Sequence, residues 1–239
     1  VRYATYQVEP IIRKLGGTFR SQLPGKRIKL LDGNCIEKSQ HRIKETRSIA
    51  SGPLPGKSLV VYDPVLRLPI DVFPCEDGHA QERLLLQAVY ATIETGDVWV
   101  ADRNFCIVEF TCKISCKDAF FIISNLSKQS ANARKIAELY RGRWTIETAF
   151  QHLTEHLNSE INTLGYPRAA LFGFCVALVA YTIMSVIKAA LSHVHGVDVI
   201  EQQLSGYYVA NEISGICPGM MIAIEYDHWH VFRQMTSFE

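Results

Sequence analysis

At 239 residues the chain is long enough to bury a sizeable core, as one large domain or two small ones. With 48% hydrophobic and 21% charged residues, its composition is that of an ordinary globular protein and excludes a disordered or fibrous chain. The net charge of +1 hides a division: residues 1–60 carry +8 and the remainder −7, and from Leu191 onward one Arg faces six acids. Such a layout suits a polyanion on one face as well as it suits a solvated surface.

Val1–Gly16 carries charges throughout and lacks the apolar segment of a signal peptide. Within it, Tyr3–Leu15 has the spacing of a short, mildly amphipathic helix that Gly16-Gly17 should end. Arg27–Asp32 (RIKLLD) predicts a strand stopped by Gly33-Asn34, and Lys38–Ser51 reads as a basic loop or the start of another strand. Ser58–Tyr62 is an apolar strand, Asp63-Pro64 a turn, and Val65–Phe73 the antiparallel partner. His79–Thr95 places Leu84, Leu85, Ala88, Val89 and Ile93 at helical spacing, with Gly96 where a C-cap belongs. Val98–Ala101 is a brief strand leading into Asp102, Cys106–Cys116 a helix, and Ala119–Ser124 (AFFIIS) a strand. The longest periodic helix covers about Ala131–Asn158, with Leu139, Ile146, Phe150, Leu153 and Leu157 as its apolar stripe. After Gly165-Tyr166-Pro167 a second, more apolar helix runs to about Leu191, and Val197–Glu239 is a mixed segment without a readable order.

Three strands joined by short turns, then helix, strand, helix, strand and helix, predict a mixed five-stranded sheet with helices on both faces. That order is the ribonuclease-H-like arrangement. The expected division is an N-terminal helix (1–22), an α/β core (23–160) and a mainly helical C-terminal region (161–239). Ala169–Ile187 has 19 residues without a charge, enough to span a bilayer, but it is rich in Ala and includes Gly173, Tyr181, Thr182 and Ser185. A core helix buried on all sides fits it better, so no membrane is expected. The seven cysteines are odd in number and form no C-x-x-C pair, which points to a reduced, cytoplasmic protein. Cys112 and Cys116 have no second pair at zinc spacing, and the alternating pairs His193/His195 and His228/His230 read as surface or packing histidines.

The chemistry is sought among acids at strand ends. Asp32 closes the first strand and Asp102 the fourth, and in this topology those strands are neighbours in the middle of the sheet. Two carboxylates placed together there repel unless a cation sits between them. Glu147, on the helix after the fifth strand, supplies a third acid. Such a trio suits a two-metal site for in-line displacement at phosphorus, with Mg²⁺ or Mn²⁺ as the hard cation. The plain alternative is that each strand-end Asp is a turn residue. Tyr140, Arg143 and Glu147 are spaced three and four apart, so at about 100° per residue they share a helix face. Arg143 can grip a phosphate there, or simply pair with Glu147 on a solvated helix.

LYRGRWTIETAF (Leu139–Phe150) resembles the Tyr-Arg-Glu signature around the catalytic Glu of DDE transposases of the insertion-sequence-four family. DGN at Asp32–Asn34 and VADRNF at Val100–Phe105 are similar to the regions that carry that family's two aspartates. The similarity runs from about Leu23 to Met221 and takes in PGKSLVVYDP, DGHAQER and NTLGYPRAALFGF. The resemblance implies Asp32, Asp102 and Glu147 as ligands of two Mg²⁺ ions (Mn²⁺ as a substitute), with Tyr140 and Arg143 contacting DNA near the cut. It also implies a bacterial mobile-element enzyme that excises by hydrolysis, joins 3′ ends to target DNA and works as a homodimer.

Three departures accompany it. Thr154 stands at the family's Lys position, the chain begins close to the first catalytic strand, and only 44 residues separate Asp102 from Glu147. A β-rich insertion is expected in that interval and looks lost. These departures set a second expectation beside the first: a non-catalytic remnant that binds DNA or a full-length partner.

Overall fold

The structure is a computed structural model, and it describes residues 1–16, 19, 23–36, 56–78, 80–105, 120–121, 131–160 and 166–216. The fold is mixed α/β. Strands β1 (Arg27–Cys35), β2 (Lys57–Asp63), β3 (Leu68–Cys75) and β4 (Asp97–Ala101) form a mixed sheet, and the two-residue β5 (Phe120–Phe121) adds to it, in the order β3-β2-β1-β4-β5. β1 pairs antiparallel with β2 and parallel with β4, in the registers Asp32↔Val60 and Leu31↔Ala101. Central strands are apolar on both sides because both sides are covered. Leu30, Val60, Tyr62, Val98 and Val100 meet Leu139, Ile146, Leu153, Phe174 and Leu178 on one face. Leu31, Leu59, Val61, Trp99 and Ala101 meet Leu86, Val89, Tyr90 and Phe105 on the other.

Helix α1 (Arg2–Leu15) ends at Gly16, whose φ of 70° is the left-handed cap that glycine takes easily. It packs on β3 and on the long helix α5 (Pro167–His195) through Ile12, Leu68 and Ala189. A short α2 (Leu86–Tyr90) follows a 3-10 turn, Glu82–Leu85. On the opposite face lie α3 (Ala133–Arg141) and α4 (Trp144–His156), and α6 (Val197–Gln203) and α7 (Gly206–Ile216) follow α5. Tight packing at the β2 entry requires glycine: a Cβ on Gly56 would lie 2.4 Å from the Cys75 carbonyl oxygen.

Several expectations change. β1 does not stop at Asp32 but continues to Cys35, because β2 goes on pairing with it after β4 has ended. β3 begins at Leu68, after a turn over Pro64–Arg67 in which Arg67 takes φ 56°. The helix expected over His79–Thr95 shrinks to the 3-10 turn and α2, and Gly96 (φ 87°) turns the chain into β4 instead of capping a helix. The single helix expected over Ala131–Asn158 is two, broken at Gly142-Arg143.

By length and composition α5 could cross a membrane, yet Leu171, Phe174 and Leu178 are buried in the sheet's core. Burial is one-sided, not all-round: Phe172, Val176 and Ile183 are exposed. His193 and His195 lie in its last turn, exposed, and not on a strand. Cys112, Cys116, His228, His230, the helix expected at Cys106–Cys116 and most of Ala119–Ser124 lie outside the described residues.

Candidate active site

Strand alternation decides where the acids point. Leu31 and Ala101 are register partners and both belong to the core cluster on the α2 face. The next residue of β1, Asp32, therefore faces the other side, that of α3 and α4, while Asp102 follows the last paired residue of β4. Phe105, 1% exposed, anchors the chain on the α2 face, and its N–H donates to the Asp102 carbonyl at 3.0 Å. Arg83 ties the same turn to the start of α2, its Nε donating to the Asn104 carbonyl at 2.6 Å.

Glu147 and Arg143 arrive on α4. Gly142 ends α3 and Arg143 caps α4, so Glu147 falls in the first turn of a new helix. Nη2 of Arg143 lies 2.8 Å from Oε1 of Glu147, while Nη1 donates to Oδ2 of Asp32 at 2.8 Å. Oδ1 of Asp32 accepts the Gly33 N–H at 2.9 Å. The helix-face pair foreseen between Arg143 and Glu147 is thus real, and it reaches across to β1. Tyr140, on the far side of the break, is 41% exposed, as is Trp144 beside it at 60%.

Burial dominates the Asp32 carboxyl and pushes it up to about 6, against the pull of Arg143 and the Gly33 N–H, with Glu147 and Glu82 adding repulsion. Glu82, the acid near the end of DGHAQER, is not among the expected site residues. Its carboxylate lies where a Gly33 side chain would project, 2.4 Å from the Cβ position. Among the described residues no three His, Cys, Asp or Glu side chains stand grouped as a ready metal cage. Between Asp32 and Glu147 stands Arg143. Among the described residues the donor set nevertheless fits a hard divalent cation: Asp32 and Glu147 bring two carboxylates, and the guanidinium of Arg143 bridges them. Thr154 faces Ser159, their hydroxyl oxygens 3.5 Å apart, and brings no cation.

A family model for the transposase DDE domain matches residues 5–183. The chain belongs to the DDE transposase family. A comparison with curated proteins and one with solved structures each found no match. The matched span of this DDE transposase takes in all three acids, Tyr140 and Arg143, and ends inside α5. DDE transposase domains depend on divalent metal and act on DNA.

A divalent cation bound at Asp32 would compete there with a proton. Because the folded protein holds that proton more tightly than the unfolded chain, protonated Asp32 favours the fold at acid pH. That contribution is lost as pH rises through about 6. Mn²⁺ affinity has the opposite trend and is expected to fall by about tenfold per pH unit below that point. Calorimetric titrations between about pH 5 and about pH 8 measure it; a flat profile would remove Asp32 from the ligand set.

Proposed function

We propose that this chain is the catalytic domain of an insertion-sequence-four-type DNA transposase, a cytoplasmic enzyme with a ribonuclease-H-like core in which β5 is part of a fifth strand. Asp32, Asp102 and Glu147 hold Mg²⁺, or Mn²⁺ in its place. The cations, when bound, supply charge stabilisation and nucleophile activation at phosphorus. The protein's own part is positional. β1 and β4 fix two carboxylates side by side, α4 brings the third, and Arg143 with Tyr140 holds the DNA phosphate beside the cut. Exposed Trp144 offers an aromatic face to an unstacked base. Hydrolysis at a transposon end leaves a 3′-hydroxyl, which then attacks a phosphate of target DNA in a homodimeric complex.

The observation that supports this reading is the Arg143 bridge between Asp32 and Glu147, at the end of β1 where its pairing with β4 stops at Leu31↔Ala101, one residue before Asp102. The non-catalytic remnant gains nothing from the geometry, since the matched span contains every acid the chemistry needs. Wild-type protein is expected to nick supercoiled plasmid in the presence of Mn²⁺. Intact plasmid at Mn²⁺ concentrations that saturate the protein would sink the catalytic reading and restore the remnant.

A further inference from the structure

Both oxygens of Asp32 are already engaged, Oδ1 by the Gly33 N–H and Oδ2 by Arg143 Nη1. The same guanidinium takes Oε1 of Glu147. A hard cation between these carboxylates would occupy the space where the guanidinium now bridges Oδ2 of Asp32 and Oε1 of Glu147. It would also face a guanidinium of like charge at contact distance. Arg143 and a metal are therefore alternatives for Asp32 and Glu147.

The guanidinium of Arg143 is held through Nη1 and Nη2. Among the described residues its buried Nε has no hydrogen-bond partner, and the ring it lies over, Trp144 at 5.5 Å, is an exposed one. It also stands at the Gly142 break, where α3 stops and α4 starts. Resting on the reading of the acidic trio as a metal site, we propose that Arg143 is a partner-exchanging gate. It holds Asp32 and Glu147 together until a divalent cation displaces it, and the released guanidinium then grips a DNA phosphate. Two parallel N–H···O bonds suit that second partner. Metal loading and DNA binding then reinforce one another, and by linkage the coupling is the same in either order.

The test is titration calorimetry with Mn²⁺ on wild type, R143A and D102N. With its competitor removed, R143A is expected to bind Mn²⁺ about five- to tenfold more tightly than wild type, while D102N does not bind. On random-sequence duplex DNA, Mn²⁺ should strengthen wild-type binding. In R143A that gain is lost and the salt slope shrinks by about one. R143A binding Mn²⁺ no more tightly than wild type, with D102N still inactive in binding, overturns the gate and leaves the metal site standing. R143A binding where wild type does not would support it strongly. Failure of both to bind overturns the metal site and the gate together. R143Q, closer in size, carries the same comparison should R143A fail to fold.

Discussion

Asp102→Asn is expected to abolish measurable Mn²⁺ binding, lowering affinity by at least about a hundredfold, and to remove DNA cleavage with it. Asparagine keeps the shape of the side chain, and the backbone around it is held from elsewhere. Ala101 stays paired with Leu31, Phe105 stays in the core, and Arg83 still reaches the Asn104 carbonyl. What changes is one unit of negative charge at a site whose cation affinity comes from carboxylate charge. The titration belongs above the pH at which Asp32 gives up its proton, about 6, so that the variant is compared with wild type carrying an ionised Asp32. Unchanged melting with lost binding would locate the effect in the site. Equal binding by both proteins would mean that the three acids do not act together on a metal.

Lys29→Met is expected to cost about 3–5 kcal/mol, because it strands a buried carboxylate. Lys29 and Asp97 have side chains only 5% and 2% exposed, and Nζ lies 2.6 Å from Oδ2. Their remaining polar capacity is met by the Thr92 carbonyl and the Glu94 N–H. In a domain of this size about 1 kcal/mol moves the melting point by roughly 2–4 °C, so a drop of about 10 °C is expected in thermal denaturation. Replacing both partners with apolar residues should recover most of it. A shift of only a degree or so in Lys29→Met would show the pair to be solvated. The pair matters to function through register. β1 and β4 are apolar on both faces, so hydrophobicity alone does not say which residue of one lies beside which residue of the other. The ion pair near the start of both strands says so, and Asp32 and Asp102 inherit the answer at the other end.

Local chemistry made much of this visible in the amino-acid order. RIKLLD, SLVVY and VWVA could hardly be anything but strands, and the α5 segment was a helix by length alone. Asp102 stands just past β4 and Glu147 in the first turn of α4, both local features, whereas Asp32 lies inside β1 and not at its end. What was hidden depends on partners far away in sequence. The Arg143–Asp32 bond joins residues 111 apart, and no periodicity reports it. The continuation of β1 to Cys35 depends on β2, since Gly33-Asn34 taken alone signals a turn. The apolar stripe runs on across Gly142, which marks the break that sets Arg143 at the head of α4. Glu82 lies within DGHAQER, but nothing local ties it to Asp32, and the missing side chain of Gly33 explains how its carboxylate comes so near β1.

Alternation along β1 and β4 has a consequence for how such a gene ages. Loss or gain of one codon between Lys29 and Asp32, or between Asp97 and Asp102, would turn one carboxylate to the opposite face. A change of two codons would return it. The intervening residues are Leu, Val, Trp and Ala, acceptable on either side, so a one-codon slip need not unfold the protein. Copies of this gene can therefore fall silent while still making a folded product, and in-frame scars in these two strands should survive selection when even in number and vanish when odd.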